Sequence, residues 1–172
     1  MKNWKMKLST WSLMLLTVIT FNACGSSSDD DSPVEPDTGK GIYRIDVTFD
    51  TPIAQGVQFG IVMHGFKTET IAAKLYENGK ELALNDVGNW GESVEEPRNY
   101  SIQTEEDCIA LSATFLMEKP SDVASAGFTV TGYKDGKKVD EHHQSLTDNQ
   151  ENIRVQYQVN KNGGDIVGFV DY

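Results

Sequence analysis

Residues 43–50 read YRIDVTFD, and this short stretch predicts the kind of fold that the chain adopts. Apolar Tyr43, Ile45 and Val47 alternate with polar side chains. Because successive side chains of a strand point to opposite faces of the sheet, an alternation of period two predicts a strand with one buried face. Pro52 is expected to end this strand, since proline cannot donate a hydrogen bond to the sheet.

The same alternation returns along the chain, and no stretch has a convincing helical pattern. The further predicted strands are residues 57–63, the two arms of 70–84, 100–102, 109–117, 128–133, a return arm past 139, 153–159 and 166–170. Asn78-Gly79 and Asp135-Gly136 suit the positive-φ positions of type I′ turns and predict two tight hairpins. About nine strands with frequent turn signals are typical of an antiparallel β-sandwich, immunoglobulin-like or related, with a barrel as the alternative. The predicted fold class is therefore all-β.

The two tight hairpins are similar in sequence, since residues 75–80 read LYENGK and residues 132–137 read GYKDGK. A tyrosine followed by x-[Asn/Asp]-Gly-Lys resembles the hairpins that immunoglobulin-like and fibronectin-like bacterial modules use between adjacent strands. Turn chemistry alone also selects Asn-Gly and Asp-Gly. Tyr76 and Tyr133 are candidate ligand contacts on these hairpins. The alternative is that each tyrosine packs across the strands beside its turn.

The N-terminus, MKNWKMKLSTWSLMLLTVITFNAC over residues 1–24, predicts an export signal. Its only charges are three lysines near the start, and an apolar run follows over residues 11–21. That run is about half of the ~20 residues that a membrane-spanning helix needs, which is typical of the core of a signal peptide. A small residue, Ala23, stands directly before Cys24.

The junction at Cys24, followed by Gly25 and three serines, resembles the lipobox of bacterial lipoproteins, although Phe21 and Asn22 replace the commoner aliphatic and small residues. In that family the cysteine is acylated and becomes the new N-terminus. The tract SDDD at residues 28–31 resembles the surface-export signal of lipoproteins from the Bacteroidota. The resemblance implies a chain held in the outer membrane by a lipid on Cys24 and exposed at the cell surface. The alternatives are an ordinary secretory signal with a bystander cysteine, and a merely solvated acidic linker.

Composition predicts one folded domain on a polar tether. Residues 1–23 are the predicted signal peptide, 24–40 the lipidated cysteine with a flexible acidic linker, and 41–172 a single β-sandwich domain. The chain of 172 residues has a formal charge of −11. Cleavage before Cys24 removes three lysines and no acids, which leaves 12 basic and 26 acidic side chains and a charge of −14. Such a charge repels nucleic acid and anionic lipid head groups, so neither is an expected partner.

The sequence offers no motif for catalysis, for a cofactor or for a metal. Cys108 begins an apolar strand and is expected to be a core residue without a disulfide partner, since the other cysteine is Cys24. His142 and His143 are adjacent, and adjacent strand residues face opposite ways, so they are not expected to share a metal ion. A glycosidase needs two nearby carboxylates, and the sequence alone does not rank the 26 acidic residues.

The longest predicted loop is residues 85–98, NDVGNWGESVEEPR. An exposed Trp90 on this loop would be suited to stack on a sugar ring or to anchor a protein partner. The alternative is that Trp90 folds back and caps the end of the sandwich.

These observations favour a non-catalytic surface module that binds glycan or another envelope protein. One alternative is a small secreted hydrolase or hydrolase inhibitor, which would require paired carboxylates in a cleft. Another is an adhesin or assembly subunit, which would require an unpaired edge strand, and residues 165–172 are the expected place for it.

Overall fold

The structure is a computed structural model that describes residues 39–147 and 150–170, with residues 168–170 described by their backbone alone. Twelve β-strands and no helix form within these residues. None of the described residues lies in a helix long and apolar enough to cross a membrane. The predicted signal peptide, Cys24 and the acidic tract at 28–31 lie outside the described residues.

The described strands are, in chain order, β1 (Tyr43–Phe49), β2 (Gln58–Phe66), β3 (Ala72–Ala73), β4 (Leu75–Glu77), β5 (Lys80–Glu81), β6 (Asn89–Val94), β7 (Tyr100–Thr104), β8 (Ala110–Glu118), β9 (Ala126–Lys134), β10 (Lys137–Leu146), β11 (Asn152–Asn160) and β12 (Gly163–Val170). They form two antiparallel sheets. The first sheet has the order β10-β9-β1-β7-β4-β5, and the second has the order β12-β11-β8-β2. Both β3 and β6 then pair with β2, at different positions along it. The prediction of an all-β antiparallel sandwich is confirmed.

The core lies between the two sheets and is built from the alternating apolar residues of both. Tyr43, Ile45 and Val47 of β1 are fully buried, as their alternation predicts. The Phe59 ring of β2 lies 4.7 Å from the Phe49 ring and meets it edge to face. Aromatic pairs of this kind contribute about 0.5–1.5 kcal/mol beyond the area they bury. Packing of the two sheets therefore supplies the stability of a domain whose cysteine, Cys108, is free and buried.

Both predicted hairpins have the expected turn geometry. Asn78 and Gly79 have φ values of 51° and 76°, and Asp135 and Gly136 have φ values of 50° and 75°. Two successive positive φ values are the mark of a type I′ turn, whose twist matches that of the flanking strands. The prediction of two tight hairpins is therefore confirmed.

The predicted loop at residues 85–98 is wrong, because its middle forms strand β6. This strand pairs with residues 59–64 of β2. Its inward positions are Trp90, Glu92 and Val94, and a carboxylate among them hides the alternation. The predicted number of about nine strands is too low for the same reason. The two-residue strand β3 is too short to leave a pattern of its own in the sequence.

The C-terminal strand β12 lies at an edge of the second sheet, as predicted. Its described pairing is with β11, from Asn160↔Gly163 to Arg154↔Val170. The fold thus has two outer faces, one on each sheet. The outer face of the first sheet carries the candidate site.

Candidate functional site

Trp90 lies on strand β6 and faces the interior of the sandwich. It pairs with the fully buried Met63 and packs against the core. Its indole ring meets the Tyr100 ring edge to face, with 6.3 Å between the ring centroids. This position agrees with the alternative that Trp90 caps the sandwich.

Arg98 occupies the side of the sandwich next to Trp90 and ties the two sheets together. Its guanidinium donates to both carboxylate oxygens of Glu77, at 2.5 and 3.2 Å, and to Glu92 Oε2 at 2.9 Å. It also lies over the Tyr100 ring, 4.2 Å from the centroid. The hydrogen bond to Glu77 raises the pKa of Arg98. Burial raises the pKa of Tyr100 to about 12, and the Glu92 carboxylate adds to this effect. We call Arg98, Glu77 and Glu92 the arginine clasp, and its contacts are structural.

Tyr76 and Tyr133 lie on the outer face of the first sheet, in one row across four strands. Tyr133 of β9 pairs with Arg44 of β1, and Arg44 pairs with Gln103 of β7. Gln103 in turn pairs with Tyr76 of β4. Directly paired residues of antiparallel strands point to the same face, so the four side chains are neighbours. We call Tyr133, Arg44, Gln103 and Tyr76 the tyrosine row.

The register of the strands, and not the position of the turns, brings the two tyrosines together. Strand β4 runs parallel to β1, whereas β9 runs antiparallel to it. The two hairpin turns therefore point in opposite directions along the sheet. Neighbouring strands lie about 4.8 Å apart, so the three steps from Tyr133 to Tyr76 span about 14 Å.

Arg44 is held in place at the centre of the tyrosine row. Its guanidinium lies over the Tyr133 ring, 3.9 Å from the ring centroid. Its Nε lies 3.1 Å from Asp46 Oδ1, which also accepts a hydrogen bond of 2.7 Å from the Ser101 hydroxyl. A cation over an aromatic ring and a carboxylate at its edge together restrict the side chain to one orientation.

The polar groups at the centre of the row are available for a ligand. Among the described residues, neither the terminal nitrogens of Arg44 nor the side-chain amide of Gln103 has a hydrogen-bond partner. Neither group is buried, and both residues are half-buried as a whole. The row thus combines two aromatic rings with hydrogen-bond donors and an amide acceptor between them.

Charges at both ends of the row are balanced by ion pairs. Lys138 is the neighbour of Tyr133 on β10, and its Nζ lies 2.8 Å from Glu141 Oε2. Glu81 is the neighbour of Tyr76 on β5, and its Oε2 lies 3.0 Å from Lys74 Nζ. The hydrogen bond to Lys138 lowers the pKa of Glu141, and the one to Glu81 raises the pKa of Lys74. The surroundings of the tyrosine row are therefore close to neutral, in a chain of charge −11.

His142 and His143 lie on strand β10 and are not members of the tyrosine row. His142 Nε2 lies 2.5 Å from Asp140 Oδ2, and His143 Nε2 lies 3.0 Å from Asp50 Oδ2. His142 pairs with Val130, which faces the core, and His143 with Thr129, which faces outward. The prediction that the two face opposite ways is confirmed. The described part of the chain contains no group of three or more His, Cys, Asp or Glu residues that could hold a metal ion.

The sequence singled out the two tyrosines but missed Arg44 and Gln103. Both are ordinary polar positions of alternating strands, and nothing in their local sequence distinguishes them. The signal lies in which strands are neighbours, and that order depends on long-range pairing.

Solved structures with the same fold include two from Bacteroides. One is a domain of unknown function, DUF4425, from Bacteroides vulgatus, with a TM-score of 0.56 and 18% sequence identity. The match covers 72% of this chain and 96% of that one. Another is a DUF4425 family protein from Bacteroides ovatus, also with a TM-score of 0.56 and 18% identity, over 71% of this chain and 96% of that one.

A third similar structure is the calcium-bound form of a protein from Parabacteroides distasonis. It has a TM-score of 0.50 and 19% identity, over 72% of this chain and 92% of that one. No protein-family model and no curated protein matches the chain. At so low an identity, structural likeness shows the fold and does not transfer a site or an activity. The chain therefore shares its β-sandwich fold with DUF4425 domains of unknown function from Bacteroides.

Proposed function

We propose that this chain is a non-catalytic module that binds glycan on the tyrosine row, at the surface of the outer membrane. One observation carries the proposal. Tyr76 and Tyr133 are far apart in the sequence, yet they lie on one sheet face with unpartnered polar groups of Arg44 and Gln103 between them.

The chemistry of the row suits a sugar chain. The C–H faces of sugar rings pack on aromatic rings, and sugar hydroxyls accept hydrogen bonds from guanidinium and amide groups. A rigid sheet holds these groups at fixed positions, so little conformational entropy is lost when a ligand binds. The Asp46 carboxylate, on the same strand as Arg44, contacts Arg44 Nε and the Ser101 hydroxyl, which favours binding without catalysis.

A lipid on Cys24 would hold the domain at the membrane, as the lipobox-like junction and the acidic tract predict. The linker at residues 25–40 would reach on the order of 50 Å if extended, which gives the row access to polymers outside the cell. Anchoring raises the local concentration of such a binding module at the surface.

The test is glycan-array and calorimetric binding with the detergent-solubilised full chain and its Tyr76→Ala and Tyr133→Ala variants. Each substitution removes one stacking surface, so we expect the affinity for the bound glycan to fall about tenfold, which corresponds to ~1.4 kcal/mol. The matched control is Phe66→Ala, because Phe66 is a half-buried aromatic residue at an outward position of the second sheet. The control should keep the wild-type affinity.

Two outcomes would contradict the proposal. Wild-type affinity in both tyrosine variants would remove the tyrosine row as the site. The absence of binding to any glycan on the array would remove glycan as the ligand and leave an envelope protein as the partner, to be sought by crosslinking on whole cells.

Calcium enters the same experiment as a variable, because the similar protein from Parabacteroides distasonis is described in a calcium-bound form. No described residue of the tyrosine row is a carboxylate, and carboxylates and other oxygen groups are the ligands that calcium prefers. We therefore expect equal affinity with added calcium and with a chelator. A loss of glycan binding in the presence of the chelator would indicate that the binding site is not the tyrosine row.

A further inference from the structure

We infer that the tyrosine row binds an internal segment of a linear, uncharged polysaccharide. This inference rests on the proposed glycan binding and names the class of glycan. Three features of the row support it: its length, its open ends and its balance of charge.

The length of the row excludes a single sugar as the full ligand. Three strand spacings of about 4.8 Å separate Tyr133 from Tyr76, and Arg44 and Gln103 occupy the two positions between them. One sugar ring cannot contact tyrosines about 14 Å apart. A ligand that uses both rings and the polar groups between them must be an extended chain of several sugars that runs across the strands.

The ends of the row are open. Beyond Tyr133 the next position is Lys138 on β10, and beyond Tyr76 it is Glu81 on β5. Both of these side chains are about half exposed, at 50% and 52%. They continue the surface of the same sheet beyond both ends of the row, and their exposure leaves these ends accessible to solvent. A site that recognises the end of a chain needs a group that closes on it, so this row is suited to the interior of a chain.

The balance of charge favours an uncharged polymer. Arg44 is paired with Asp46, Lys138 with Glu141, and Lys74 with Glu81. Each of these three cations has a carboxylate partner that offsets its charge, and the chain as a whole, at −11, repels a polyanion. The hydroxyls of a neutral sugar match the free nitrogens of Arg44 and the amide of Gln103 without any net charge.

The experiment is calorimetric titration of the detergent-solubilised full chain with oligosaccharide series of increasing length. The probes are cello-, manno- and xylo-oligosaccharides, each from monosaccharide to hexasaccharide, with oligogalacturonates of the same lengths as anionic probes. We expect at least one neutral series to gain affinity by about tenfold or more between the monosaccharide and the hexasaccharide. A bulky label on the reducing end of the hexasaccharide should leave its affinity unchanged, and the oligogalacturonates should bind more weakly at low salt.

Variants that keep only one of the two tyrosines distinguish this inference about the class of glycan from the proposed glycan binding itself. Tyr76→Ala should remove most of the gain with length, because a longer chain then meets no second ring. A monosaccharide that binds as tightly as the hexasaccharide, a label that abolishes binding, or tighter binding of oligogalacturonate would overturn the inference while glycan binding itself stands. If none of the neutral series binds and no glycan on the array binds, both this inference and the proposed glycan binding are wrong.

Discussion

At the scale of single residues, the hydroxyl of Tyr157 stands out as a polar group sealed in the core. Tyr157 is fully buried, and its hydroxyl has no hydrogen-bond partner among the described residues. It lies against Gly132 of β9 and Gly164 of β12, and a β-carbon on either glycine would collide with it. Burial raises the pKa of Tyr157 well above its ordinary value, and the Asp140 and Asp165 carboxylates add to this effect. An unpaired buried polar group of this kind costs about 1–3 kcal/mol.

We therefore expect Tyr157→Phe to raise the free energy of unfolding by about 1 kcal/mol at neutral pH, measured by urea denaturation. The effect should grow at alkaline pH. A tyrosine in the unfolded chain ionises near pH ~10, below the pKa of Tyr157 in the folded protein. Since the unfolded state then releases its proton first, wild-type stability falls as the pH rises through this window. The Tyr157→Phe variant should lose less stability there.

Tyr43→Phe is the matched control, because the hydroxyl of the buried Tyr43 donates a hydrogen bond of 2.5 Å to the Gly39 carbonyl oxygen. Removal of this satisfied hydroxyl should lower the free energy of unfolding by about 1 kcal/mol. Equal losses in Tyr157→Phe and Tyr43→Phe would contradict the prediction, since they would mean that the Tyr157 hydroxyl has a partner in solution, such as an internal water molecule.

At the scale of elements, strand β6 has weak intrinsic preference for its conformation and depends on its neighbours. It contains Gly91 and Ser93 and presents a carboxylate, Glu92, at an inward position. The arginine clasp explains this arrangement, because Arg98 bridges Glu92 of β6 in the second sheet to Glu77 of β4 in the first. The clasp thus joins two strands that do not pair with each other, through one guanidinium that contacts two carboxylates.

Arg98→Met should loosen strand β6 and lower the free energy of unfolding by about 1 kcal/mol. The aliphatic part of the side chain is kept, so the loss reports mainly the ion pairs, which solvent screens because the Arg98 side chain is 45% exposed. Amide hydrogen exchange should become faster in β6 than in β8, since β6 pairs with β2 while β8 lies between β2 and β11.

Lys74→Met is the control for the clasp. It removes an ion pair with Glu81 that is more exposed and does not involve β6, so both the stability and the exchange rates in β6 should stay close to wild type. If Lys74→Met and Arg98→Met change the free energy of unfolding and the exchange rates in β6 equally, the arginine clasp stabilises the fold no more than an ordinary surface ion pair does.

The elements that the sequence predicted are those whose burial repeats with period two. The inward residues of β1, β2, β8 and β11 are nearly all apolar, and a local pattern is enough to find them. The turns at Asn78 and Asp135 were predictable because positive φ angles select few residue types. Strand β6 was not predicted because Glu92 interrupts the alternation of apolar and polar residues. The ion pair with Arg98 explains why a carboxylate is tolerated at this inward position.

The candidate site was predictable in part. The hairpin sequences predicted Tyr76 and Tyr133 as candidate ligand contacts. That the two tyrosines lie in one row follows from the strand order β9-β1-β7-β4. Such pairing between distant segments leaves no local trace, so Arg44 and Gln103 could not be singled out. For Trp90 the sequence left open an exposed ligand contact and a cap on the end of the sandwich, and the pairing with Met63, which turns the side chain inward, agrees with the cap.

At the scale of the whole molecule, the proposed binding depends on two features, the position of the tyrosine row and the proposed anchor. The tyrosine row lies on the outer face of a sheet, and the binding proposed there would gain most from a high local concentration if its contacts are individually weak. The proposed membrane anchor would supply that concentration. The anchor is proposed at Cys24, outside the described residues, so a direct test of it is needed.

We expect Cys24→Ala to remove the lipid and release the protein from the membrane fraction, because the apolar run at residues 11–21 is too short to span a bilayer alone. The measurements are metabolic labelling with a fatty acid and fractionation of cells that express the full chain. Cys108→Ala is the control, since the Cys108 side chain is fully buried and burial raises the pKa of its thiol, so it is unsuited to acylation. The control should stay labelled and membrane-bound. A Cys24→Ala chain that keeps both properties would show that another segment holds the protein, and the role of concentration at the tyrosine row would then need a different anchor.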